Sequence, residues 1–112
     1  MERESDRKTM TRHAFNVEDL FDIHGRGLVV ATDRRYEDFP SWLALKVGDE
    51  IELRTEGRIV PTQVAGIEFI NPCTPKTPFV FLLPADVPKE QVPIGCEIWV
   101  SESSVVQSAR EP

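Results

Sequence analysis

Apolar and polar positions alternate along most of this chain, in segments of about five to nine residues separated by Gly, Pro and Asp. In residues 14–23, Phe15 and Val17, then Phe21 and Ile23, fall two apart, the spacing that puts side chains on one face of a strand. A tight turn is expected at 24–27, where Gly25 and Gly27 permit positive φ. A β-branched strand follows at 28–32. Residues 33–44 lack a period and read as an insertion or an irregular hairpin. Ile51 and Leu53 alternate with Glu50, Glu52 and Arg54, which predicts a strand with one wet face. Glu56-Gly57 turns the chain into a return strand over 58–69, broken at Pro61 and Gly66. Three prolines make 71–78 a loop. Residues 79–83 form an unbroken apolar run and predict a central strand. A single helical turn fits 88–93. Residues 95–100 supply the last strand, with Ile98 and Val100 on one face.

No segment carries a sustained i, i+3, i+4 apolar stripe. Short strands at this spacing predict an all-β fold, a small antiparallel β-barrel that is closed or nearly so. One domain over residues 13–101 is expected, flanked by flexible polar tails at 1–12 and 102–112.

Composition narrows the function. With 112 residues there is room for one core. Thirteen basic and nineteen acidic residues give a formal charge of −6, which argues against broad, sequence-blind binding to nucleic acid. A local contact to one nucleotide or one RNA end remains compatible with it. Cys73 and Cys96 are not in CxxC spacing, and His13 and His24 have no partner pattern, so no metal site is expected. The first twelve residues have no apolar stretch of the signal-peptide kind, and no apolar run reaches the length of a membrane span. A cytoplasmic location is expected. No Ser/His/Asp or Cys/His arrangement presents itself, so the expectation is a protein that is not an enzyme and needs no cofactor.

Four blocks carry a resemblance. They are residues 17–30, VEDLFDIHGRGLVV; 46–53, KVGDEIEL; 62–69, TQVAGIEF; and 86–95, DVPKEQVPIG. Together and in this order they resemble the second domain of the translational GTPases of the elongation factor Tu type. That domain is a β-barrel of the reductase/isomerase/elongation factor common-domain kind. The match runs over about residues 14–101. The phosphate-cradling loop ending in Gly-Lys-Ser/Thr, which the GTPase domain of that family carries, does not occur in this chain.

The resemblance implies a pocket for the aminoacylated 3′ end of tRNA. Glu18, Asp19 and Phe21 match its amino-acid side. Ile23, Gly25, Val29 and Leu83 match the apolar seat of the terminal adenine, and Glu68 matches the carboxylate that contacts the sugar. A base needs flat apolar faces, a ribose hydroxyl can donate to a carboxylate, and a cationic α-amino group suits an acidic pair. Three positions depart from the family pattern: Ala31, Asn71 and Phe79 stand where it has threonine, arginine and asparagine. The partners implied are tRNA, the ribosome or a protein of the translation machinery, bound by an accessory module or by a decoy of that surface. A different partner follows from Tyr36, Phe39 and Trp42. These aromatics could anchor an unknown protein on a barrel that serves only as scaffold. Arg26, in the first turn, is expected to pair with a nearby carboxylate.

Overall fold

The computed structural model describes residues 11–23 and 26–105. Its strands are β1 (Thr11–Ile23), β2 (Gly27–Arg35), β3 (Glu50–Thr55), β4 (Arg58–Gln63), β5 (Gly66–Glu68), β6 (Pro78–Leu83) and β7 (Glu97–Ser101). Among the described residues there is no α-helix, only single 3-10 turns at Tyr36–Asp38, Lys89–Gln91 and Glu102–Ser104. The seven strands form one antiparallel sheet in the order β4-β3-β7-β1-β2-β6-β5, curled into a half-barrel. The all-β class expected from the alternation is therefore the observed one. No helix among the described residues is long and apolar enough to cross a membrane.

The curl begins in β1. Its first half pairs with β7, from Thr11↔Ser101 to Asn16↔Glu97, and its second half with β2, from Val17↔Thr32 to Ile23↔Gly27. The register slips between His13 and Phe15 and again between Val17 and Asp19. Such bulges add local twist and bend the strand. Both edges of the sheet come from one stretch of chain, because only Val64 and Ala65 separate β4 from β5. The Val64 amide donates to the Asp49 carbonyl beside β3 at 2.9 Å, and the Ala65 amide donates to Leu82 of β6 at 2.8 Å. This link ties the two halves together at one corner. It is also where the return strand was expected to break. Pro61 lies on the edge strand β4, where a missing amide takes nothing from the ladder.

Inside the curl, Phe15 lies 5.4 Å from Phe79 and 6.4 Å from Phe81, centroid to centroid. Leu28, Val30, Ile51, Leu53, Leu83, Ile98 and Val100 complete the core around them. The body of the protein extends past the expected boundaries at both ends. Thr11 and Arg12 belong to β1, and Ser104, fully buried, donates to Asp49 at 2.8 Å. The rest of the two expected tails lies outside the described residues.

Thr32 is a fully buried polar residue at a break in the β2–β6 register, between Ala31↔Val80 and Arg35↔Pro78. Its hydroxyl donates to the Phe79 carbonyl at 2.9 Å and accepts the Arg34 amide at 3.3 Å, filling the gap in the ladder. Replacing Thr32 with Val keeps the shape and removes both bonds. The variant is expected to lose about 1–3 kcal/mol of stability, measured by urea unfolding.

Candidate outer-face binding site

Strand alternation decides which side chains leave the core. In β2 and β6, Leu28, Val30, Phe79, Phe81 and Leu83 point inward, and Val29, Ala31, Val80 and Leu82 form a second apolar cluster on the opposite, outer face. The strand register extends that cluster over four strands. One row runs Phe21–Val29–Leu82–Gly66 and the next runs Asp19–Ala31–Val80–Glu68. Ile23, paired with Gly27, continues the β1 side. Asp19 and Glu68 thus close opposite ends of an apolar row, three strand spacings or about 14 Å apart. Gly66 has no side chain and Ala31 a short one, so the middle of the face is shallow.

Of the residues expected to form a pocket, Asp19, Phe21, Ile23, Val29 and Glu68 lie on this face. Phe21 is 50% exposed and Ile23 38%, unusual for large apolar side chains that a core would otherwise absorb. Leu83 does not join them. It sits in the core with no exposed surface, because the period of two gives the outer position to its neighbour Leu82. Gly25 lies outside the described residues. Glu18 falls at the β1 bulge and turns to Arg35, 3.1 Å away, whereas Asp19 accepts its neighbour Leu20's amide at 2.9 Å. The two adjacent carboxylates therefore have separate partners. They stand across β2 and β6 from Glu68, too far apart to share a proton with it.

Glu68 is paired. The Arg26 guanidinium donates to its carboxylate at 2.6 Å. Arg26 sits in the β1–β2 turn and Glu68 on β5, so the pair spans β2 and β6 across the outer face. Three residues near this face escaped notice in the sequence. Leu82 was hidden in an apolar run whose two faces look alike. Phe69 and Ile70, 74% and 41% exposed, follow Glu68 directly, and two large apolar residues opening a proline-rich loop were the available signal.

Tyr36, Phe39 and Trp42 are half-buried and pack on the core. Phe39 lies 5.0 Å from Phe79 and Tyr36 meets the same ring edge-on at 6.3 Å. The Arg12 guanidinium covers Trp42 at 3.8 Å from the ring centroid. These aromatics plug one end of the half-barrel, which spends on the core much of the surface that a contact patch needs. A groove of about 770 Å³ between the β3–β4 turn and residues 93–97 contains none of the pocket residues. It is open, and of its charged lining residues Arg54 pairs with Glu52 and Glu97 accepts from Trp99. Among the described residues, no three His, Cys, Asp or Glu side chains gather as metal ligands.

Two predictions follow from this geometry. Gly27 has φ +115°, and a Cβ there would meet the Leu83 carbonyl oxygen at 2.8 Å. Gly27→Ala is expected to cost about 1–3 kcal/mol in urea unfolding and to shift the amide resonances of the turn. Burial, with Cys73 as the lesser cause, pushes the Tyr36 phenol above its ordinary 10.0, and its buried hydroxyl has no hydrogen-bond partner among the described residues. The folded chain then keeps this proton at a pH where the unfolded chain releases it, so stability falls as pH rises past about 10. Tyr36→Phe is expected to be at least as stable as the native chain at neutral pH and to escape this alkaline loss. Unfolding curves at pH 7 and about pH 10.5 check both points.

No protein-family model matches this chain, and no curated protein matches it.

Proposed function

We propose that the chain is a non-catalytic binding module whose outer face, on β1, β2, β6 and β5, receives the aminoacylated 3′ end of tRNA. The observation that carries this reading is the gathering of Asp19, Phe21, Ile23, Val29 and Glu68 on one face. They come from three separate sequence segments, and the resemblance to the second domain of translational GTPases assigns these positions to that ligand. The face suits the chemistry. A base lies flat against Phe21 and the shallow apolar row, Glu68 accepts from the free ribose hydroxyl, and Asp19 faces a cationic α-amino group. Ala31 and Asn71 remove polar contacts that the family pattern has there, so the apolar seat and Glu68 carry more of the binding. An overall charge of −6 limits attraction to the remaining RNA and favours recognition of its end alone.

A protein partner is the second reading, and Phe69, 74% exposed beside the edge strand β5, favours it. In that case the half-barrel is a scaffold for a structural or regulatory contact. Partial burial of Tyr36, Phe39 and Trp42 moves the candidate anchor from those residues to Phe69 and Ile70.

Titration of ¹⁵N-labelled protein with aminoacyl-tRNA separates the two. The first reading expects amide shifts confined to residues 19–23, 29–31, 66–70 and 80–82, weaker shifts with uncharged tRNA, and about tenfold weaker binding for Phe21→Ala and Glu68→Ala. Absence of shifts with either tRNA rejects it. Recovery from lysate of one protein, lost with Phe69→Ser and unaffected by Glu68→Ala, supports the second.

A further inference from the structure

The carboxylate offered to a ribose is already occupied, and this bears on what the face selects. Arg26 reaches Glu68 from a turn at the end of β2. Glu68 pairs with Val80 on β6, and Gly27 stands opposite the last residue of β1. The ion pair therefore joins the β1–β2 turn to β5 on the outer side of β2 and β6, the side that carries Val29 and Leu82. The core fills the other side of the sheet, so no inner path exists. Val29 and Leu82 are only 7% and 6% exposed although they lie on an outer face.

We propose that Arg26 is a displaceable lid and the specificity-determining residue of this face, selecting ligands that bring both a free ribose hydroxyl and a phosphate. The inference rests on the nucleotide-binding reading above. A ligand with a ribose hydroxyl and no phosphate has to take Glu68 from Arg26 and leaves the guanidinium unpaired. A ligand with a phosphate on the same ribose gives Arg26 a new anion, in the bidentate geometry that guanidinium favours. The exchange is feasible because the pair is partly wet, with side-chain exposures of 54% for Arg26 and 31% for Glu68, and pairs of that kind are weak. The same exchange uncovers the apolar seat as it frees the carboxylate. Recognition of base, sugar and phosphate then becomes one step.

The probes are adenosine and adenosine 5′-monophosphate, titrated separately into the native chain and into Arg26→Gln, with amide and Arg26 Nε–H signals followed by NMR. In the native chain the monophosphate is expected to bind about tenfold more tightly than adenosine, and the Arg26 Nε–H signal to move only with the monophosphate. In Arg26→Gln that preference disappears, and adenosine binds about three- to fivefold more tightly than to the native chain because Glu68 is free. Glu68→Gln also releases Arg26 and is expected to keep the preference for the monophosphate. Equal affinities for each ligand in the native chain and Arg26→Gln overturn the lid and leave the tRNA-end reading standing. Failure of both small ligands to bind, with aminoacyl-tRNA still binding, also overturns the lid alone. If aminoacyl-tRNA fails as well, both proposals fall.

Discussion

A single strand must serve both halves of the sheet, and the remainder of the structure depends on how it bends. β1 pairs with β7 along its first half and with β2 along its second. A flat strand doing this would give a flat sheet with one covered face. The slips at His13/Phe15 and Val17/Asp19 supply the turn. The Val17 amide donates to the Cys96 carbonyl, and the Val17 carbonyl accepts the Gly95 amide, both at 2.8 Å, which fixes the strand at the point of bending. The bend brings Phe15 onto Phe79 and Phe81, and so defines an inside. It also defines the outside, because the strand register after the second bulge is what sends Asp19, Phe21 and Ile23 outward.

That register slip explains an apparent inconsistency in the alternation. Phe15 and Val17 are core residues, whereas Phe21 and Ile23, an even number of positions further on, are exposed. An unbroken period of two would put all four on one face. The single extra residue at Glu18 exchanges the faces. The apolar half of the strand beyond the bulge thus lies on a surface, where it adds nothing to the core.

Much of the fold was legible in the sequence, because it rests on local signals. The strands at 28–32, 50–54 and 79–83, the break at Gly66 and the helical turn near residue 90 all follow from alternation, glycine and proline. Less of the site was legible, for a physical reason. Residues 28–31 of β2 and 79–83 of β6 are buried on both faces, so these stretches are apolar throughout and do not say which residues look outward. Leu82 and Leu83 are chemically identical neighbours, and only the pairing of β6 with β2 separates them. The Arg26–Glu68 pair joins residues 42 positions apart, beyond the reach of any local pattern. The long-range aromatic contacts that draw Tyr36 and Phe39 into the core were equally invisible in an aperiodic stretch.

The shallow outer face and the tight first turn are also linked by packing. Gly27 sits so close to the Leu83 carbonyl that no Cβ fits between them. This packs the start of β2 closely against the end of β6, the strand beside the edge strand β5. Arg26, the residue before it, carries the ion pair to Glu68 from this point. The positive φ of Gly27 therefore lets the start of β2 lie directly against the end of β6, where a side chain would not fit.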